Sequence, residues 1–135
     1  MFLICKEELI MQITIREPSS AFTHFIAMML ALFASAPLLV KTALGSNGRE
    51  FTAMCVFIIS MVLLYAASAT YHSVNVTGER LKFFKKIDHM MIFVLIAGTY
   101  TPVCLIILGG ELGYTLFNVV WGIAIFGMLI KAFWV

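Results

Sequence analysis

Charge is what this sequence has least of: only 12% of its 135 residues are Asp, Glu, Lys or Arg, about half the share of an ordinary soluble domain. With 62% hydrophobic residues, a chain this short cannot cover its apolar surface in water. The net charge of +2 says little by itself, and its distribution forms no nucleic-acid patch. Its densest basic stretch, "ERLKFFKK", adjoins an apolar run, so it reads as a determinant of membrane topology against anionic headgroups. Cysteine is also scarce. Cys5, Cys55 and Cys104 show no C-x-x-C spacing and two lie inside apolar runs, which excludes a disulfide scaffold and points to packed, reduced thiols. Also lacking are a Gly-rich phosphate loop, a G-x-S-x-G elbow and a paired-carboxylate glycosidase pattern. The first twenty residues place Glu7 and Glu8 among short apolar patches. That is unlike a secretory signal and closer to an amphipathic interfacial segment.

What is present is long apolar runs. Four of them reach the roughly 20 residues that a helix needs to cross a bilayer, with expected helices over about 21–40, 51–72, 89–108 and 112–133. They are apolar on every face and lack the period-two alternation of a spanning β-barrel. The expected fold is therefore an all-α integral membrane helical bundle, one membrane domain over 1–135, in the lipid bilayer. The connections are about ten, about sixteen and three residues long, short enough to make successive helices antiparallel neighbours. With the N-terminus inside, Lys6, Arg16, Arg80, Lys82, Lys85, Lys86 and Lys131 fall on the inner side and only Lys41 and Arg49 outside. The positive-inside rule selects that orientation, with a cytoplasmic N-terminus. Asn75-Val76-Thr77 matches a glycosylation acceptor but falls on an inner loop, where it carries no weight.

This topology gathers polar residues at one depth. Glu17, Ser20 and His24, three and four residues apart, form one stripe on helix 1, and Ser68 and His72 are an i, i+4 pair on helix 2. Asp88 and His89 open the expected helix 3 and point about 100° apart, so at most one joins the focus; Asp88 is the candidate. Ionisable groups at membrane depth commonly face a bundle interior or a watery cavity. The competing explanation is that all of them sit in the interface, with Asp88 capping its helix and complementing the dipole. Histidine is the commonest metal ligand, and catalytic zinc takes three protein ligands and a water. His72, Asp88 and Ser68 would supply part of such a site. His24 and His89 could in principle complete it, yet no two histidines form an i, i+4 pair, and Ser68 as a nucleophile is poorly supported.

Three segments together resemble a known family. "REPSSAFTH", "LLYAASATYHS" and "KKIDHMMIFVLIAGTYTPVCL", in that order, resemble the haemolysin III family of bacterial membrane proteins, related to the progestin and adipoQ receptors and more distantly to alkaline ceramidases. The resemblance implies a seven-helix fold with zinc near its cytoplasmic side, in the plasma (inner) membrane of a bacterium. It makes His72 a zinc ligand, puts Ser68 at the family's serine beside the site, and lets Asp88 contact the zinc-held water. Glu17 and His24 are supporting residues. The family's other two ligands come from an H-x-x-x-H motif on its last helix, which this chain lacks. It is expected to be the N-terminal part of the fold, to need missing helices or another subunit, and to hold metal poorly and be inactive as it stands. The implied function is metal-dependent hydrolysis of a lipid substrate, a lipid amide. The alternatives are a pore-forming, cytolytic protein, for which no helix offers a continuous polar stripe, and a non-enzymatic membrane regulator.

Overall fold

A computed structural model describes residues 14–45 and 47–134. The expected amphipathic segment at the N-terminus lies largely outside the described residues, as does Cys5. Four helices form. Helix α1 (Pro18–Leu44) opens on a proline, whose missing N–H costs nothing in a first turn. Helix α2 (Gly48–Ser73) is capped by Asn47, whose side chain accepts from the Arg49 N–H at 3.1 Å. Helix α3 (Glu79–Pro102) runs on into a π-helical stretch, Val103–Leu108, and α4 spans Gly110–Phe133.

The start of α3 corrects the expected boundary near residue 89 and shortens the α2–α3 connection to Val74–Gly78. "ERLKFFKK" is thus helix, not loop. Hydropathy marks where a chain enters the bilayer, whereas the helix ends where its backbone bonding ends. Here Glu79 and Lys82, paired at 2.8 Å one turn apart, favour continuation past the apolar edge. Asp88 consequently lies in the third turn of α3, and the first-turn acidic residue is Glu79. The capping role considered for Asp88 does not apply.

At its far end α3 meets Pro102, which has no N–H to continue the α-helical ladder. The bonding widens to five residues, closing with Gly109 N–H on the Cys104 carbonyl at 3.1 Å. Gly109 and Gly110 then take φ of 58° and 56°, a left-handed pair that reverses the chain into α4 without a longer loop.

Packing follows chain order. α1 packs on α2, α2 on α3, and α3 on α4, and the π-helical stretch packs against α2 and α4. Among the described residues there is no close backbone approach of α1 to α3 or α4, nor of α2 to α4. The bundle is a row whose edges are α1 and α4: 11% and 6% of those spans are buried, against 22% in each central helix. All four helices are long and apolar enough to cross a membrane.

The interior is built from small side chains. Ala21, Ala31, Ala53, Ala69, Ala97 and Ala124 are buried together with Ser60, Ser68 and Thr101, while Phe22, Leu30, Phe33, Ile107, Phe126 and Phe133 face outward. That inversion suits a lipid solvent, in which helices gain by close backbone approach rather than by hiding large apolar groups. Gly98 makes it concrete: a Cβ there would overlap the Ser60 side chain of α2.

Candidate functional site

The start of α1 and the end of α2 are joined by a cluster of charged and aromatic side chains. Glu17 is the last residue before α1, with non-helical backbone angles, φ −134° and ψ 80°, outside the α region that a following proline disfavours. Its backbone N–H, outside the helical ladder, donates to the His72 carbonyl at 3.0 Å. Its carboxylate does not cap its own helix. Instead Oε2 lies 2.6 Å from His72 Nδ1, so the two residues hold each other by main chain and side chain at once.

Arg16 completes this junction. Its guanidinium lies over the Tyr71 ring, 4.2 Å from the centroid, and its Nη2 is 2.9 Å from Glu17 Oε1, an ion pair without the alignment of a hydrogen bond. Consecutive residues Arg16 and Glu17 thus meet consecutive residues Tyr71 and His72. Glu17 is held below its ordinary value of 4.5 first by the hydrogen bond from His72 and then by the Arg16 charge, which together outweigh partial desolvation.

His72 is also held by its faces. The His24 ring stacks on it at 5.5 Å and 3° between planes, Tyr71 tilts against it at 4.9 Å, and Tyr65 packs on His24 at 6.1 Å. Parallel stacked rings have no common plane, and the lone pairs of imidazole lie in the ring plane. An ion bound squarely by His72 would therefore sit off the plane of His24, which makes His24 a support for the ring rather than a co-ligand in this arrangement.

Of the residues singled out in the sequence, Glu17, His24 and His72 come together. Ser68 is buried on α2 one turn before His72, and Asp88 is buried on α3. The Asp88 carboxylate lies 3.6 Å from Nδ1 of its chain neighbour His89, and that nitrogen donates back to the Lys85 carbonyl at 2.8 Å. Among the described residues neither joins the Glu17–His72 contact, and no group of three His, Cys, Asp or Glu is placed to hold a metal ion. Cys55 and Cys104 are free thiols.

Arg16, Tyr65 and Tyr71 were not anticipated as site residues. Arg16 registers in the sequence only as a topology charge, and its pairing with Tyr71 spans two helices. For two of them the sequence offers a signal, since Arg16 precedes Glu17 and Tyr71 precedes His72; Tyr65 adjoins no candidate.

A family model described as haemolysin-III related matches residues 12–135. The chain belongs to that family. This haemolysin-III-related chain is 39% identical over 119 residues to hemolysin-3 of Bacillus cereus, covering 88% of this chain and 54% of that relative. It is 40% identical over 124 residues to a hemolysin-3 homolog of Bacillus subtilis (strain 168), covering 90% and 57%. It thus spans about half the length of the curated relatives it matches. No solved structure matches it.

Proposed function

We propose that this haemolysin-III-related chain provides the His72 ligand of a zinc site on the cytoplasmic side of a bacterial plasma membrane. The site serves a metal-dependent hydrolase of lipid amides. One observation carries the metal assignment: the Glu17 carboxylate engages His72 at Nδ1. Metal-binding histidines characteristically donate their second ring nitrogen to a carboxylate, which leaves the other nitrogen's lone pair for the ion. The donor fits zinc, which takes imidazole nitrogen readily.

Bound zinc would supply Lewis acidity and lower the pKa of a water molecule. This chain's residues have separate tasks. His72 offers Nε2, while Glu17 and His24 fix its edge and face. Ser68 offers a hydroxyl one turn away, and Asp88 offers a carboxylate oxygen to take a proton from water. The remaining ligands would come from helices or a subunit beyond the four described. The lipid-amide substrate rests on the resemblance to ceramidases, and the cytoplasmic side on Arg16, Arg80, Lys82, Lys85, Lys86 and Lys131 lying at the same end of the row.

Zinc titration of the detergent-solubilised chain tests the assignment. Weak binding is expected, reduced at least about tenfold in His72→Ala. Undiminished binding in that variant would overturn it. Dye release from liposomes, equal in wild type and His72→Ala, would instead support the cytolytic activity that the relatives' names carry.

A further inference from the structure

We infer that Glu17 is a positioning residue that selects the tautomer of His72, keeping the proton on Nδ1 and the lone pair on Nε2. An ionised carboxylate only accepts hydrogen bonds. A 2.6 Å separation between Glu17 Oε2 and His72 Nδ1 therefore requires the proton to lie on Nδ1. Free imidazole favours the opposite tautomer, with Nε2 protonated and closed to a metal or an incoming proton. The proton position is thus imposed by the partner on the other helix.

Further features show that the contact is built rather than incidental. The Glu17 N–H to His72 carbonyl bond, 3.0 Å, fixes the spacing of the two backbones. Pro18 disfavours the α region for Glu17, which stands ahead of the helix with its N–H unclaimed by the ladder. Arg16 holds the second carboxylate oxygen at 2.9 Å, so Oε2 is the oxygen left for the histidine. The carboxylate meanwhile forgoes capping its own helix, the commoner use of an acidic residue at that position. His24, stacked within 3° of parallel, restrains the plane in which Nε2 points.

The consequence for zinc rests on the metal site proposed above, whereas the tautomer itself does not. The 135-residue chain, labelled with 15N-histidine and held in bicelles in alkaline buffer without metal, reports the His72 tautomer from its ring-nitrogen shifts. Wild type is expected to show protonated Nδ1. Glu17→Gln, whose single amide oxygen pairs with Arg16 and whose NH2 then faces Nδ1, should move His72 toward the Nε2-protonated form. Glu17→Leu, similar in bulk but unable to accept, should move His72 to the Nε2-protonated form. Persistence of protonated Nδ1 in Glu17→Leu or in Glu17→Gln, with the helices intact, would overturn the inference. In a parallel titration Glu17→Leu should bind zinc about 10–100-fold more weakly than wild type. A tautomer switch without any zinc binding, even in wild type, would support the positioning role and count against the metal site alone.

Discussion

Among the described residues, two of the polar contacts that join neighbouring helices are built differently. At one end of the row, Glu17 reaches from the start of α1 to His72 at the end of α2, through charged groups that remain partly exposed. Well inside the span, the Trp121 indole N–H of α4 donates to Thr101 Oγ1 of α3 at 3.1 Å, and that hydroxyl donates to the Ala97 carbonyl at 2.8 Å. Thr101 is 1% exposed. The inner contact is neutral and satisfies each of its members, as a buried pair in lipid must. The outer one ties an ionised group to an imidazole with a nitrogen to spare. The first arrangement is suited to holding helices together and the second to presenting a reactive atom.

Breaking the packing should have the largest effect. Gly98→Leu would drive a side chain into Ser60 at the α2–α3 seam, and a loss of about 3 kcal/mol or more is expected from such overpacking. It would appear as a lower unfolding temperature in detergent. An unchanged melt would mean that α2 and α3 do not pack at this spacing. Thr101→Val keeps the shape but leaves the Trp121 N–H without its acceptor, with an expected cost of about 1 kcal/mol. The His72 tautomer should not respond to either change, because neither residue touches the Glu17 end. A response there would break the division between the two contacts.

The spans were legible because about 20 apolar residues in succession have few fates other than crossing a bilayer. The extra turns of α3 were not, since Arg80, Lys82, Lys85 and Lys86 end an apolar window without ending a helix. The row-like packing was also hidden: it depends on where small residues such as Gly98 and Ser60 meet, and apolar windows record composition rather than facing. At the site, the spacings grouped Glu17 with Ser20 and His24, and Ser68 with His72; of these Glu17, His24 and His72 meet, with Glu17 ahead of α1 rather than on its face. The spacings could not reveal that Glu17 binds His72 by both backbone and side chain, because that register is set by how far α2 runs before Val74.

Acid should separate the two contacts by a smaller margin. Glu17 is held below its ordinary value of 4.5 by its hydrogen bond from His72 and by Arg16. A depressed carboxylate stabilises the fold in full above its unfolded value, and that contribution is lost as pH falls below 4.5 through the lowered folded value. Wild type should therefore lose melting temperature relative to Glu17→Gln as pH falls through this window. Thr101→Val should stay parallel to wild type, since nothing in the inner contact titrates there. Parallel curves for wild type and Glu17→Gln would show that the outer contact adds nothing to the fold, leaving it a presenting role alone.

The smallest effect is expected where a hydroxyl crosses nothing. Ser35 Oγ donates to the Leu32 carbonyl of its own helix at 2.7 Å, as Thr42, Thr70 and Thr99 donate to carbonyls of theirs. That carbonyl belongs to the helical ladder, so losing the hydroxyl strands no donor, and alanine is the better helix former. Ser35→Ala should shift stability by less than about 0.5 kcal/mol in either direction, although Ser35 is buried at 8% exposure. A loss as large as that of Thr101→Val would mean that burial alone sets the cost of removing a hydroxyl. The expected near-silence assigns the cost to the stranded partner, the same asymmetry that makes Glu17 decisive for His72.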